Sequence, residues 1–173
     1  MLISSFALLA QDSRTVDVYG GYSYVRTNPG NGASGTNNNG WESTATFNVR
    51  PNLALAADIN GAYYSNSGAH NHLYTYLFGP ELRMNQGKGS PFAHALFGFG
   101  HDSVTASAFG GTFSSSSNAF AAALGAGYDW KMSDDISIRP VQFDYLMTRF
   151  SSSTQNNIRI SVGVVFHPKM FNR

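Results

Sequence analysis

Apolar and polar residues alternate one for one in eight separate stretches of this chain. The clearest stretch comes last, where five apolar residues occupy every second position: Ile158, Ile160, Val162, Val164 and Phe166. Arg159 and Ser161 fall between them. A two-residue period is typical of a β-strand whose two faces have different surroundings, because successive side chains point to opposite sides. The pattern therefore predicts an all-β protein with eight strands.

The predicted strands are long enough to cross a bilayer, since a tilted strand needs roughly 9–11 residues to do so. They cover residues 15–26, 41–49, 53–65, 72–84, 92–105, 118–131, 136–150 and 157–167. An even number of strands in an up-and-down arrangement brings both ends of the chain to the same side of the membrane.

The connections between the predicted strands alternate between two kinds. Tight, turn-rich links cover 50–52, 85–90 and 133–135, and mostly longer links rich in Asn, Ser, Gly and Thr cover 27–40, 66–71, 106–117 and 151–156. Outer-membrane barrels have short periplasmic turns and longer external loops. We therefore expect the four longer links to be external loops that could bind an extracellular ligand.

Charged residues fall on the polar face of the predicted strands, opposite broad aliphatic and aromatic faces. A soluble barrel would do the reverse, with apolar residues inside and charges facing water. Large aromatic residues also lie near strand ends, as interfacial girdles require: Trp41, Tyr74, Tyr128 and Trp130. The sequence predicts an eight-stranded antiparallel up-and-down transmembrane β-barrel. Its lumen is expected to hold Glu42, Asp58, Glu81, Arg83, Arg139, Gln142, Asp144 and Arg159.

The seventh strand breaks the two-residue period. Ile136 and Ile138 share the outward face with Phe143 and Tyr145 only if one extra residue is inserted between the two pairs. Proline cannot donate to a strand ladder, so we predict a β-bulge at Pro140-Val141.

Composition narrows the class of protein further. The 173 residues suit one domain, which we place at 15–167, with a tail at 168–173. The net charge is +1 and no Lys/Arg cluster is present, so we expect no nucleic-acid partner. The chain has no cysteine, which excludes disulfides and Cys-ligated metals. We interpret the apolar run at 1–10 as the remnant of a signal peptide, with a short strand extension as the alternative.

On these features the chain resembles the small eight-stranded outer-membrane β-barrels, the group that contains the transmembrane domain of outer membrane protein A. The final strand is similar to the signature that such barrels present to their assembly machinery, because its alternating apolar residues end in the aromatic Phe166. The segments Gly20-Gly21-Tyr22 and Gln142-Phe143-Asp144-Tyr145 also resemble this group, whereas many relatives end at the aromatic and this chain continues to Phe171. The resemblance implies a location in the outer membrane of a Gram-negative-type bacterium. The implied partners are outer-membrane lipid, lipopolysaccharide and the barrel assembly machinery.

Two interpretations fit the charges expected in the lumen. Neighbouring carboxylates can act as acid and base in catalysis. However, an eight-stranded interior is just wide enough for its own side chains to fill, and confined charges must be paired. We therefore predict a structural salt-bridge network that plugs the lumen and leaves at most a narrow pore. Arg139 is expected to pair with Glu81 or Asp144. Gly125, on the polar face, is expected to tolerate a small polar side chain better than the lipid-facing Leu124 tolerates arginine.

Histidines supply the remaining candidate chemistry. His70 and His72 could hold a metal weakly, but two imidazoles without a third ligand make a poor site, so we expect neither metal nor cofactor. His101 and Ser103 share the lipid-facing side, an arrangement that resembles barrel-type lipid A deacylases. A serine nucleophile needs a base that a third group orients. The neighbouring outward positions are expected to supply no carboxylate, but Tyr74, Tyr76, Phe120 and Ala122.

We therefore predict a non-enzymatic outer-membrane barrel with a structural, surface-interaction or adhesion-type role. A lipid A deacylase that uses His101 and Ser103 is the alternative.

Overall fold

A computed structural model of the chain describes residues 16–28, 34–66, 69–84, 86–108, 111–150 and 153–168. These residues form eight β-strands: β1 (Val16–Thr27), β2 (Thr36–Arg50), β3 (Leu53–Asn66), β4 (Ala69–Arg83), β5 (Gly89–Ala108), β6 (Gly111–Lys131), β7 (Ile136–Phe150) and β8 (Ser153–Phe166). Each strand pairs antiparallel with its neighbours in sequence, and β8 pairs with β1 to close the barrel. The predicted fold class is confirmed. Within the described ranges, no helix is long and apolar enough to cross a membrane.

The two faces of the barrel wall differ as the alternation predicts. On β8 the five apolar residues of the final stretch are exposed on the outside, whereas Arg159 and Ser161 are buried inside. On β6, Leu124 is 66% exposed between the inward-facing Ala123 and Gly125. Apolar side chains cover the outside so extensively that hydrocarbon, rather than water, is their natural surrounding.

One end of the barrel carries longer strands than the sequence predicts. β5 and β6 remain paired as far as Ala108 and Gly111, so most of the predicted loop 106–117 is strand. β2, β4 and β8 likewise begin inside the predicted loops 27–40, 66–71 and 151–156. The predicted extent of these four loops is therefore wrong. Beyond the membrane both faces of a hairpin meet water, so the alternation ends although the backbone ladder continues.

We name the two ends of the barrel after the connections that they carry. The long-hairpin end carries the connections from β1 to β2, β3 to β4, β5 to β6 and β7 to β8. The short-turn end carries the connections from β2 to β3, β4 to β5 and β6 to β7. One of these is tight, since the link between β2 and β3 consists of Pro51 and Asn52 alone.

Aromatic side chains lie on the outside near both ends. Towards the long-hairpin end, the Trp41 indole Nε1 donates to the Tyr63 hydroxyl at 3.0 Å, and that hydroxyl lies 3.3 Å from the Tyr74 hydroxyl. Towards the short-turn end, Tyr128 and Trp130 are exposed. An apolar ring with one satisfied polar atom suits the depth at which hydrocarbon meets headgroups.

The predicted bulge in β7 is present. The register between β7 and β8 shifts between Arg139 and Gln142, with Pro140 and Val141 exposed between them. Arg139 and Gln142 consequently both point into the barrel although they are three residues apart. The bulge therefore places an extra polar side chain in the lumen.

Several sequence predictions lie outside the described residues. These are the signal-peptide remnant at 1–10, the first predicted barrel residue Thr15, and the tail beyond Pro168 with Phe171.

Candidate functional site in the barrel interior

The eight side chains predicted for the lumen are all buried inside the barrel. We call this set the interior network: Glu42, Asp58, Glu81, Arg83, Arg139, Gln142, Asp144 and Arg159. They come from β2, β3, β4, β7 and β8, so the closure of the sheet is what brings them together.

Arg159 is the centre of the interior network. Its Nε donates to Asp144 Oδ2 at 2.8 Å, and its Nη1 donates to Asp58 Oδ1 at 2.9 Å. Its Nη2 lies 3.5 Å from Glu42 Oε1. One guanidinium from β8 therefore bridges carboxyl groups of three other strands.

Neutral side chains connect these carboxylates to each other. Gln142 Nε2 donates to Glu42 Oε1 at 2.7 Å and to Asp144 Oδ2 at 2.8 Å. The Ser161 hydroxyl donates to the other oxygen of Glu42. Hydrogen bonds to charged acceptors are stronger than neutral ones, and they satisfy the lone pairs that Arg159 does not reach.

Arg139 has a different partner from the one that the sequence suggests. Its Nε and Nη2 donate to the two oxygens of Asp129 at 2.7 and 3.1 Å, and its Nη1 donates to Gln142 Oε1 at 2.6 Å. The expected pairing with Glu81 or Asp144 is wrong. The reason is the bulge in β7, which places Arg139 opposite the position of Asp129 on β6.

Two aromatic rings lie against the Arg139 guanidinium. Its Cζ lies 4.2 Å from the ring centroid of Tyr19 and 4.2 Å from that of Phe92. A cation over an aromatic face is stabilised by the negative face of the ring, and more so when water is excluded. These two inward aromatics were absent from the predicted lumen set, although their place in the two-residue period of their strands indicates them.

Arg83 extends the interior network towards the short-turn end. Its Nη2 donates to Glu81 Oε1 at 2.7 Å, and its Nη1 lies 3.2 Å from Asp129 Oδ2 and 3.8 Å from Asp17 Oδ2. Arg83 and Arg139 thus share Asp129, which makes the charged interior continuous from Asp17 to the pairs around Arg159.

His94 is an interior residue that the sequence analysis missed. It is buried on β5, with Nε2 2.7 Å from Asp144 Oδ1 and Nδ1 3.9 Å from Glu81 Oε2. The signal was available, because His94 is the polar residue between the outward positions 93 and 95. Its contacts join the two carboxylates that otherwise belong to different arginines.

Gly125 lies directly beneath this histidine contact. A Cβ at Gly125 would come within 1.7 Å of Asp144 Oδ1 and 2.8 Å of His94 Nε2. A side chain at Gly125 would therefore have to displace this pair, and the expected comparison with Leu124→Arg stays a prediction. Glycine is favoured here because the buried pair packs against the bare backbone.

Apolar side chains fill further space inside the wall. One buried cluster, on β3 to β7, comprises Ala56, Leu77, Leu96, Ala121, Ala123 and Leu146. A second, nearer the long-hairpin end, comprises Val25, Ala62 and Leu73. The interior is thus a packed core with both charged and apolar parts.

His101 lies on the outward face of β5, beside Tyr74 of β4 and Asn118 of β6. Its Nδ1 is 2.7 Å from Asn118 Oδ1. An amide oxygen can only accept, so Nδ1 carries the proton and Nε2 is left as the basic nitrogen. The predicted neighbour Tyr74 is confirmed, whereas the predicted neighbour Phe120 pairs with Phe99.

Ser103 lies two residues further along the same face. Its strand partners are His72 and Ser116. Among the described residues, no hydrogen bond joins Ser103 to His101, and Cα atoms two residues apart on a strand are about 6.6 Å apart. The serine is therefore not poised against the basic nitrogen.

Of the two loop histidines, the structure describes the side chain of His72 alone. His72 packs edge-on against Tyr63, with ring centroids 5.3 Å apart, and the side chain of His70 lies outside the described part of the chain. Across the described residues, no group of three or more His, Asp or Glu side chains is arranged to hold a metal ion.

Comparison with known proteins gives a match by structure alone. No protein-family model and no curated protein matches the sequence. The attachment invasion locus protein Ail of Yersinia pestis is 18% identical with a TM-score of 0.67, over 88% of this chain and 99% of that one. Ail has also been crystallised with the heparin analogue sucrose octasulfate.

Two further structures extend the match. Neisserial surface protein A is 12% identical with a TM-score of 0.71, over 87% of this chain and 96% of that one. The outer membrane protein OprG from Pseudomonas aeruginosa is 9% identical with a TM-score of 0.58, over 91% and 97%. The chain has the fold of the small outer-membrane β-barrels.

The outer surface of the barrel is apolar, as the predicted location in a membrane requires. The outward residues of β8, from Ile158 to Phe166, form part of the apolar belt. The barrel assembly machinery is expected to recognise these same residues, and this recognition stays a prediction.

Proposed function

We propose that this chain is a non-catalytic barrel in the outer membrane of a Gram-negative-type bacterium. Its role is structural and directed to the cell surface, its lumen is closed, and its long hairpins are external. The apolar belt holds the wall in lipid, while the hairpins project paired strands beyond it.

The observation that carries the closed lumen is the position of Arg159. Its guanidinium reaches from β8 to carboxylates of β2, β3 and β7. Side chains that cross the lumen occupy the space that a hydrated ion would need, and an eight-stranded barrel has little room to spare. The apolar cluster around Leu77 and Leu96 fills further volume.

Single-channel recording in planar bilayers tests this closure. The native protein is expected to show no steady porin-like conductance. Gln142→Ala removes a neutral link of the interior network and should increase the leak. Gln86→Ala removes an exposed glutamine at the short-turn end and should leave conductance unchanged. A large, steady conductance of the native barrel would contradict the proposal.

Two outward arginines support an interaction with anionic glycolipid. Arg26 of β1 and Arg149 of β7 are exposed towards the long-hairpin end, on the two strands that flank β8. Arg26 Nη1 donates to Asn37 Oδ1 at 2.7 Å, which orients the guanidinium. Guanidinium groups bind phosphate and sulfate well, and the related fold of Ail has been crystallised with a sulfated sugar.

Binding of lipopolysaccharide to the folded barrel tests this interaction. Arg26→Ala and Arg149→Ala together should weaken binding at low salt by several-fold. Arg50→Ala changes an exposed arginine at the short-turn end and should have little effect. If Arg50→Ala weakened lipopolysaccharide binding as much as the double variant does, the result would argue against a site on the outer leaflet.

A lipid A deacylase is the second candidate, and one contact favours it. Asn118 fixes the tautomer of His101 and leaves Nε2 free as a base. The separation of Ser103 from that nitrogen argues against it. Mass spectrometry of lipopolysaccharide after incubation with the barrel should show no acyl loss. Acyl loss that Ser103→Ala and His101→Ala both abolish would establish the enzyme instead.

A further inference from the structure

The first and last strands of the chain, β1 and β8, meet in a joint that we call the seam. Its ladder pairs residues 18–26 of β1 with residues 158–166 of β8. Among the described residues it is the shortest of the eight ladders in the barrel. A shorter ladder offers fewer backbone hydrogen bonds and fewer cross-strand side-chain pairs to hold its two strands together.

Glycine weakens the seam further at its centre. Gly21 and Gly163 lie opposite each other across it, and Gly20 is next to them. A glycine inside a strand has no side chain to pack against the neighbouring strand, so the pairing is weaker there. Tyr19 covers the inner side of this pair so closely that a Cβ on either glycine would meet it. The seam is therefore weak in both its length and its composition.

A side-chain pair continues the seam where its ladder ends, at the short-turn end. The next residues in register after Val18 and Phe166 are Asp17 and His167. The Nδ1 of His167 donates to Asp17 Oδ1 at 2.6 Å. The side-chain amide of Asn48, on β2, donates to the other oxygen of Asp17 at 3.0 Å. The carboxylate that His167 reaches is therefore itself held in place.

His167 is also fixed to β7 and to the turn that precedes it. Its backbone N–H donates to the Asp135 carbonyl at 2.9 Å, and its Nε2 lies 2.8 Å from Ser137 Oγ. These two contacts restrict the imidazole, so little conformational entropy is lost when it bonds to Asp17. His167 and Asp17 form what we call the short-turn clasp, which joins β7 and β8 to β1.

A second clasp lies at the other end of the seam. Just beyond the last pair of the ladder, the Asn28 backbone N–H donates to Asn157 Oδ1 at 2.9 Å. Asn157 is buried, and its Nδ2 donates to Thr148 Oγ1 of β7 at 3.2 Å. We call this contact the long-hairpin clasp. Each end of the weak ladder is thus held by a side chain that β7 anchors.

We propose that the folded barrel opens first at the seam, and that the two clasps hold the seam shut. An open seam would present two unpaired strand edges, which hydrocarbon does not tolerate. The clasps lie about 26 Å apart, at about 3.3 Å per residue along the ladder, so each acts on its own half of the seam. This device depends neither on the closed lumen nor on the side to which the hairpins point.

Native-state amide hydrogen exchange, followed by NMR on the folded ¹⁵N-labelled protein in detergent micelles, tests the proposal. An amide exchanges only when its hydrogen bond opens, so the method measures local opening along each ladder. In the native protein, bonded amides of the seam should exchange faster than those of the ladder between β3 and β4. His167→Ala should accelerate exchange at residues 18–20 and 164–166 by at least about tenfold, because a hydrogen bond to a charged acceptor is lost. Exchange at residues 24–26 and 158–160 should not change.

Three further variants provide the matched comparison. Asp17→Asn keeps the shape of its side chain and should act on the same half of the seam as His167→Ala. Asn157→Ala should instead accelerate exchange in the half next to the long hairpins. Lys131→Ala removes an exposed ion pair with Asp134 at the short-turn end, away from the seam, and should affect neither half.

Heat-modifiable gel mobility reports which variants fold, and either folded variant of the short-turn clasp decides the outcome. Equal acceleration in all strands, or no acceleration at all, would overturn the proposal. So would native seam amides that exchange more slowly than those of the ladder between β3 and β4.

Discussion

At the scale of single residues, the barrel interior depends most on Arg159. The residue has no exposed surface, and its guanidinium lies 2.8–3.5 Å from oxygens of three carboxyl groups. A buried charge is stable only while its partners remain, because the protein interior cannot solvate it as water does. Removal of the cation therefore costs more than the loss of its own contacts.

Arg159→Met should lower the free energy of unfolding by roughly 3–5 kcal/mol, since Asp58 and Asp144 lose their main counter-charge. Arg149→Met, at an exposed position, should change it by no more than about 0.5 kcal/mol. Urea unfolding in detergent micelles measures both. An unchanged midpoint for Arg159→Met would show that the interior is hydrated rather than sealed.

Gly125→Ala should destabilise the barrel by roughly 1–3 kcal/mol through overpacking. The new Cβ would meet the carboxylate of Asp144, which Arg159, Gln142 and His94 already hold in place. Gly20→Ala is the control, because a Cβ there meets nothing within 4 Å. The same unfolding assay compares them, and equal stability of the two variants would be inconsistent with a tightly packed Asp144–His94 pair.

At the scale of strands, the sequence predicts the membrane-spanning part of each strand more accurately than it predicts the strand ends. Alternation marks β6 clearly from Phe120 to Trp130, but Ser114–Ser117 continue the strand with water on both sides and carry no period. Side-chain partners could not be predicted either, since they depend on register between strands. Asn118 beside His101 is an example, and the bulge that directs Arg139 to Asp129 is another.

Leu124→Arg should hinder insertion, because Leu124 faces hydrocarbon and an arginine at the bilayer midplane costs roughly 2–4 kcal/mol. Ser116→Arg is the matched control on the same strand and the same face, beyond the apolar belt. Folding yield in lipid vesicles, followed by gel mobility, distinguishes them. Similar yields for the two variants would place Leu124 outside the bilayer.

At the scale of the whole molecule, the interior carries an excess of acid. Among the described residues, six buried carboxylates face three buried guanidinium groups: Asp17, Glu42, Asp58, Glu81, Asp129 and Asp144 against Arg83, Arg139 and Arg159. His94 and His167 each contact a carboxylate, which reduces the excess when they are protonated. No single strand reveals this balance, because it emerges only when the barrel closes.

The acid excess sets the sign of any residual leak through the barrel. Carboxylates that line a narrow path favour cations and repel anions, as in cation-selective pores. Rare openings of the native barrel under a KCl gradient should therefore reverse at a potential of the K⁺-selective sign. Asp144→Asn removes one interior negative charge, so its reversal potential should move towards zero. Preference for Cl⁻ in the native protein would mean that ions pass by a route that avoids these carboxylates.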